Sequence, residues 1–304
     1  MRYILENEVL KVEIDSFGAE LKSVKRKSDD REYMWQADAK YWGRTSPVLF
    51  PFVGAPKNKE YRYEGKTYSM GQHGFARDME FVCEALDGKR GDSENVEGEH
   101  SIWFVLESDE TTYEKYPFQF RLHIGYELRI NEVKVSWLVE NIDNKPMYFS
   151  IGAHPAFMCP IHGEPDKTGY GLRFGGLTDE IHHHGNTPDG MAVMEDKVLC
   201  LTDGKVTFTP GFFDECTYMI EGKQTRRVEL LDADGNAYVT VDFDTPLFAI
   251  WSPEGKNAPF VCIEPWYGRC DAVDFSGSLS ERAYEKALAS GGEFEATYSM
   301  HFAI

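Results

Sequence analysis

The sequence predicts an all-β fold, a large antiparallel sandwich, and three features lead there. Runs in which every second residue is apolar recur along the chain, which is the period of a half-buried strand. Gly, Asn and Asp punctuate these runs at short intervals, as expected for sheets built from neighbouring hairpins. Only residues 280–289, S-E-R-A-Y-E-K-A-L-A, read as a helix, with a Ser cap and a Gly-Gly stop. No fixed repeat, low-complexity tract or Pro- or Ser-rich linker interrupts the chain, so one domain over residues 1–304 is the simplest organisation.

The elements follow in order. Residues 3–5, 9–14 and 19–26 form an opening β-meander bounded by polar turns. Residues 39–54 are rich in aromatics but carry Pro47 and Pro51, which excludes a central strand or a long helix and leaves an ordered loop. Arg44 lies in this loop beside Trp42, where the ordinary expectation is a guanidinium resting on an aromatic face. Residues 61–68 fold back around Glu64-Gly65 as a hairpin. Residues 71–78, G-Q-H-G-F-A-R-D, hold His73 and Arg77 in a segment opened by two glycines, and residues 87–100 are polar enough for a solvated loop.

The strongest alternation runs from Phe118 to Ile130, turns at Asn131-Glu132 and resumes through Val133, Val135, Trp137 and Val139, a long antiparallel hairpin with His123 on its polar face. Next, Y-F-S-I-G-A-H-P-A-F places His154 before Pro155, which biases the histidine toward extended backbone. Three adjacent histidines, His182, His183 and His184, cannot all face one ion and have no ligand partners at suitable spacing, so a solvated loop is expected there. Further strands fit residues 206–209, 218–220, 227–231, 238–243 and 248–251, and residues 294–302 close the chain with clean alternation. Between them lies N-A-P-F-V-C-I-E-P-W-Y-G-R, residues 257–269. It reads as a buried strand that ends at Glu264 before Pro265, with Trp266 and Tyr267 as adjacent apolar faces.

Composition limits the function. At 42% hydrophobic and 14% aromatic the chain can bury a proper core. A formal net charge of -19 argues against nucleic acid and anionic membranes as partners. A neutral small ligand suits that surface, although converging arginines are enough to hold a local anion. The six cysteines lack C-x-x-C spacing and read as reduced and structural. Without a leader-like apolar stretch or a membrane-length run, a cytoplasmic protein is expected.

His73 in H-G-F-A-R, His154 in G-A-H-P-A-F and Glu264 in I-E-P-W occur in that order within β-rich sequence. With the N-terminal N-E-V-L-K-V-E-I-D-S-F-G-A-E-L-K-S-V, the Y-W-G-R-T-S-P-V-L-F-P segment and a late G-G-E-F-E, the chain resembles the aldose 1-epimerase (galactose mutarotase) superfamily, in particular its LacX-like branch. The resemblance implies a large antiparallel β-supersandwich (galactose mutarotase-like) and an isomerase that holds an aldose on its concave face. His154 would be general acid and Glu264 general base, with His73, Arg77 and Arg44 lining the same face. It also implies an acidic residue on the sugar hydroxyls, for which Asp214 and Glu215 are both candidates. Trp42 and Trp266 are candidates for apolar walls.

The chemistry stands independently of the resemblance. Opening a hemiacetal needs one group to take the anomeric hydroxyl proton and another to donate to the ring oxygen, which requires no metal, cofactor or covalent intermediate. Three alternatives remain at this stage. Arg44 and Arg77 suit a hexose 6-phosphate, a non-catalytic sugar-binding or sensing protein would keep the same pocket, and a glycosidase would need a second carboxylate where His154 stands. The identity of the sugar and the oligomeric state are not encoded in any of these motifs.

Overall fold

The computed structural model describes residues 1–84, 101–215 and 217–304, so the expected polar loop at 87–100 and Cys216 lie outside the described residues. Among the described residues the strands build two large antiparallel sheets and smaller pieces at their edges. In the nine-stranded sheet, Glu132–Asn141 lies between Phe120–Arg129 and Glu293–Phe302. Leu122 faces Val139, Ile124 faces Trp137 and Tyr126 faces Val135, and all six are buried. The alternation in the sequence therefore sets which face is inside. His123 stays on the opposite face, 2.7 Å from Glu140.

The eight-stranded sheet runs in the order Ala192–Cys200, Glu180–Asn186, Tyr218–Glu221, Leu247–Trp251, Phe260–Tyr267, Ile151–Ala153 and Val48–Leu49, with Ala156–Met158 also paired to Phe260–Tyr267. Phe248, Ile250, Val261 and Ile263 from this sheet join Leu122, Ile124, Val135 and Trp137 from the other in one buried cluster. The two sheets thus share a core, each buried side chain contributing roughly 1.5–3 kcal/mol. The opening meander becomes a four-stranded sheet, Arg2–Glu6 through Arg31–Glu32, and the expected hairpin forms from Glu60–Tyr63 and Lys66–Ser69. Most of residues 39–54 is irregular, with Val48–Leu49 as an edge strand directly after Pro47.

Two expectations need correction. No helix forms over residues 280–289. Ser278, not Ser280, caps a single 3-10 turn, Leu279–Glu281, in a capping box with Glu281, and Lys286–Leu288 then pairs with Met147–Phe149. The cause lies in Arg282 and Glu285, whose side chains are drawn inward. The Arg282 guanidinium contacts Asp271 at 2.8 Å and Glu285 at 3.0 Å, donates to the Arg269 carbonyl at 3.0 Å, and lies 4.3 Å from the centre of the Phe52 ring. Arg269 in turn pairs with Glu221 at 2.7 Å. Buried charge-assisted contacts outweigh helix propensities of a few tenths of a kcal/mol per residue.

The histidine triplet is also not a loop. It lies in the Glu180–Asn186 strand, with a bulge between His183 and Gly185. Alternation sends buried His183 against Tyr218, while His182 bonds Asp196 at 2.9 Å and His184 donates to the Glu195 carbonyl at 3.0 Å. Five cysteines, Cys83, Cys159, Cys200, Cys262 and Cys270, are free thiols; Cys159, Cys262 and Cys270 are buried and Cys200 is exposed. No helix among the described residues is long and apolar enough to cross a membrane.

Candidate active site

Along Phe260–Tyr267, Val261 and Ile263 point into the shared core, so the pleat turns Phe260, Cys262, Glu264 and Trp266 to the other face of the sheet. Glu264 therefore sits inside a strand and not at its end, because the strand continues through Pro265 to Tyr267. The neighbouring strands explain how. On one side Leu247–Trp251 pairs with residues 262–266 without a break. On the other side Ile151–Ala153 and Ala156–Met158 are separate short strands, interrupted at His154-Pro155. The Ile263 amide donates across this flank to the Pro155 carbonyl at 3.3 Å. Two residues later, Pro265 turns its donorless nitrogen to the same flank, at the interruption, where no ladder bond is lost.

His154 projects from that interruption. Its amide donates to the Pro47 carbonyl at 3.2 Å, and its Nε2 lies 3.3 Å from Glu264 Oε2. The imidazole stacks on Trp42, with centroids 4.7 Å apart, and meets the edge-on ring of Trp251 at 5.3 Å. Trp42 is fixed in turn, since its carbonyl accepts from Trp35 Nε1 at 2.9 Å. His154 is 7% exposed and Glu264 1%. Neither Glu264 Oε2 nor His154 Nδ1 has a hydrogen-bond partner.

Burial dominates the electrostatics. Desolvation holds the Glu264 carboxyl well above the usual range; the nearby Trp266 indole works the other way without closing a hydrogen bond. Desolvation, aided by the charge of Arg77, pulls His154 down to about 3. Burial thus disfavours the charged form of both members of the pair.

His73 stands at right angles to His154, ring centroids 5.5 Å apart. Its backbone is left-handed, with φ at 66°. Its amide donates to the Gly54 carbonyl at 2.8 Å, and its Nδ1 accepts from the Gly54 amide at 3.1 Å. Burial first, then coupling to the neighbouring His154 imidazole and the charge of Arg77, keeps the ring neutral. The free proton is therefore on Nε2, which makes His73 a fixed donor. A Cβ on Gly54 would lie 2.5 Å from Cys270, so only glycine permits this approach.

Arg44 and Arg77 converge on one carboxylate. Arg44 contacts Asp78 at 2.7 Å; Arg77 Nε lies 3.8 Å from Asp78, and its NH2 group donates to the Gln72 carbonyl at 2.7 Å. Burial first, then repulsion from Arg44, lowers Arg77 to about 10. Asp214 is exposed and accepts from the Gly255 amide at 3.0 Å on the loop after Trp251, and Glu215 is exposed as well. The structure thus gathers His154, Glu264 and His73, sets the two arginines beside them, and places Asp214 on the neighbouring loop.

Sequence reasoning missed Trp251, Gly54 and Asp78. Trp251 ends a strand that alternation had located, but alternation does not say which face of that strand meets His154. Asp78 adjoins Arg77 in H-G-F-A-R-D, and its shared use by Arg44 is visible only in three dimensions. Cys262, two residues before Glu264, shares its face, and the sequence offered only its spacing as a signal.

Residues 1–301 match the family model of aldose 1-epimerase. Protein LacX (chromosomal) from Lactococcus lactis subsp. lactis is 29% identical over 286 residues, 91% of each chain. The galactose mutarotase related enzyme from Lactobacillus acidophilus is 35% identical with a TM-score of 0.87, covering 100% of this chain and 98% of that one. A galactose mutarotase-like protein from Lactobacillus casei superposes over 100% of both chains with a TM-score of 0.88 at 28% identity. With this fold, and with His73, His154 and Glu264 gathered on one face, the chain belongs to the aldose 1-epimerase family and is an isomerase of that class.

Proposed function

We propose that the protein interconverts the α and β anomers of an aldohexose, with His154 and Glu264 exchanging the protons. The observation that carries this reading is a fully buried carboxyl oxygen, Glu264 Oε2, without a hydrogen-bond partner and 3.3 Å from an imidazole nitrogen. A buried acceptor left open is costly unless a ligand completes it. The anomeric hydroxyl is such a ligand. As it donates to Glu264, the added hydrogen bond favours the carboxylate and moves the proton of the pair to His154. Glu264 then takes the hydroxyl proton while His154 Nε2 donates to the ring oxygen, and the ring opens. After rotation about C1–C2, the same groups act in reverse and close the other anomer. His73 Nε2 donates to a sugar oxygen, and Trp42 holds His154 in plane. In each half of the cycle the pair takes one proton and gives one, so the reaction needs no cofactor.

Polarimetry with fresh α-D-glucose and α-D-galactose tests this. Wild type should accelerate mutarotation, and Glu264→Gln and His154→Asn should each lose about 10²- to 10⁴-fold. Full activity in either variant would overturn the assignment. A specific observation keeps the phosphorylated sugar in view: two guanidiniums share one carboxylate at Asp78, leaving local positive charge beside the pair. Glucose 6-phosphate therefore belongs in the same assay. Binding without acceleration of any anomer would favour a sugar-sensing role.

A further inference from the structure

Cys262 has no part in the proton transfers, yet its thiol lies among the groups that perform them. One donor atom each from His154, Cys262 and Glu264 falls within 4.8 Å of the others. All three residues are buried, with Cys262 fully enclosed. Cys262 and Glu264 reach the same face because they are two residues apart on one strand, and His154 meets them from the adjacent interruption. Zinc with N, S and O ligands at about 2.0–2.3 Å separates its donors by roughly 3.3–3.8 Å. The His154 Nε2 to Glu264 Oε2 distance, 3.3 Å, already has that value. Drawing in the thiol needs a movement of about 1 Å or less, within reach of a cysteine rotamer adjustment.

Two further features point to a cation. Glu264 Oε2 is a fully buried oxygen aimed into the cluster with no partner. A thiolate and a carboxylate together would neutralise a divalent charge, and Asp78 offsets part of the positive charge that Arg44 and Arg77 set beside them. Softness selects the metal, since sulfur with imidazole favours zinc or cadmium over magnesium or calcium.

We propose that His154, Cys262 and Glu264 form a three-ligand site for a thiophilic divalent cation, occupied in competition with the sugar. A fourth ligand, water or a sugar oxygen, would complete the shell of the ion. The cation is not needed for anomer exchange. Bound, it holds the acid and the base in coordination and stops the reaction.

The test is a titration of the full-length protein with cadmium chloride, followed by the ultraviolet thiolate-to-cadmium charge-transfer absorption. Wild type should bind one equivalent more than Cys262→Ala or Cys262→Ser, the serine variant serving as the more conservative replacement. Glu264→Gln should weaken that equivalent on the order of tenfold or more. Equal stoichiometry in wild type and both Cys262 variants would overturn the site, as would unchanged affinity in Glu264→Gln. Zinc chloride should displace the cadmium signal, and failure to do so also counts against the site. This readout does not depend on the sugar chemistry. Where mutarotation is observed, zinc should inhibit wild type and spare Cys262→Ala, each measured against its own metal-free rate.

Discussion

Glu285 is the surplus acid in a buried ionic network, and replacing it by glutamine should change how stability depends on pH. Arg269 is matched by Glu221 and Arg282 by Asp271. Glu285 also contacts Arg282, but its Oε1 has no partner and its side chain is 2% exposed. Desolvation raises its pKa from 4.5 to about 7, with attraction to Arg282 opposing and repulsion from Asp271 adding. The hydroxyls of Tyr61 and Tyr116 also sense its charge. Between pH 4.5 and 7 the native state keeps this proton while the unfolded chain releases it. Stability then falls as pH rises, by up to about 3 kcal/mol across the window at 1.36 kcal/mol per unit. Below that window the contribution is fully present. Glutamine mimics the protonated acid, so Glu285→Gln should match wild type near pH 5 and exceed it near pH 8 by about that amount. Urea denaturation at stepped pH measures the difference between the two proteins, in which the other titrating groups cancel. Parallel curves would refute the reasoning, and a constant deficit of the variant would show that the ionised Glu285–Arg282 pair contributes at every pH.

Other perturbations test the site and its support. Trp42→Ala removes the ring stacked on His154 and should lower kcat about 2- to 12-fold, corresponding to about 0.5–1.5 kcal/mol, with Trp42→Phe restoring most of it in the polarimetric assay. Gly54→Ala forces a Cβ into Cys270 at a left-handed backbone position; a loss of about 1–3 kcal/mol in urea melts is expected, with a raised KM because His73 loses its fixed tautomer. Ile263→Ala empties the core side of the catalytic strand and should cost about 2–5 kcal/mol, while activity per folded molecule stays near wild type. If activity collapses with Ile263→Ala at temperatures where the variant is folded, the separation of the two faces of that strand is wrong.

The sequence exposed those parts of the fold in which one residue's surroundings follow from its neighbours in the chain. The hairpin of Phe120–Arg129 and Glu132–Asn141 was readable because period two and burial coincide there. Likewise, Pro155 after His154 and the apolar run before Glu264 marked two chemical groups held by rigid backbone. What stayed hidden depended on distant partners. A helix at 280–289 fails because Arg282 and Glu285 find Asp271 and Phe52. Glu264 looked like a strand end because Pro265 ordinarily stops pairing, and the interruption opposite it belongs to another segment. Arg44 and Arg77 suggested an anion clamp, yet their joint hold on Asp78 changes how much positive charge is left for a ligand.

The split between Ile151–Ala153 and Ala156–Met158 also governs which parts of the chain tolerate changes in length. Both short strands are locked in register to the same strand, Phe260–Tyr267, with Gly152 opposite Trp266 and Ala156 opposite Cys262. Three residues on each strand, 153–155 and 263–265, bridge the interval between those anchors. One added or deleted residue in either bridge would turn Glu264 or His154 toward the core, since side chains alternate faces. The loops before Pro47 and after Trp251 lie outside those two bridges, but the first is tied down where Trp42 stacks on His154 and the second where Gly255 bonds Asp214, so an added residue there moves a support of the site and leaves the facing of Glu264 unchanged. An insertion scan should find that single-residue insertions in residues 151–158 and 260–267 abolish folding and activity together, and that insertions in those loops lower activity in a protein that still folds.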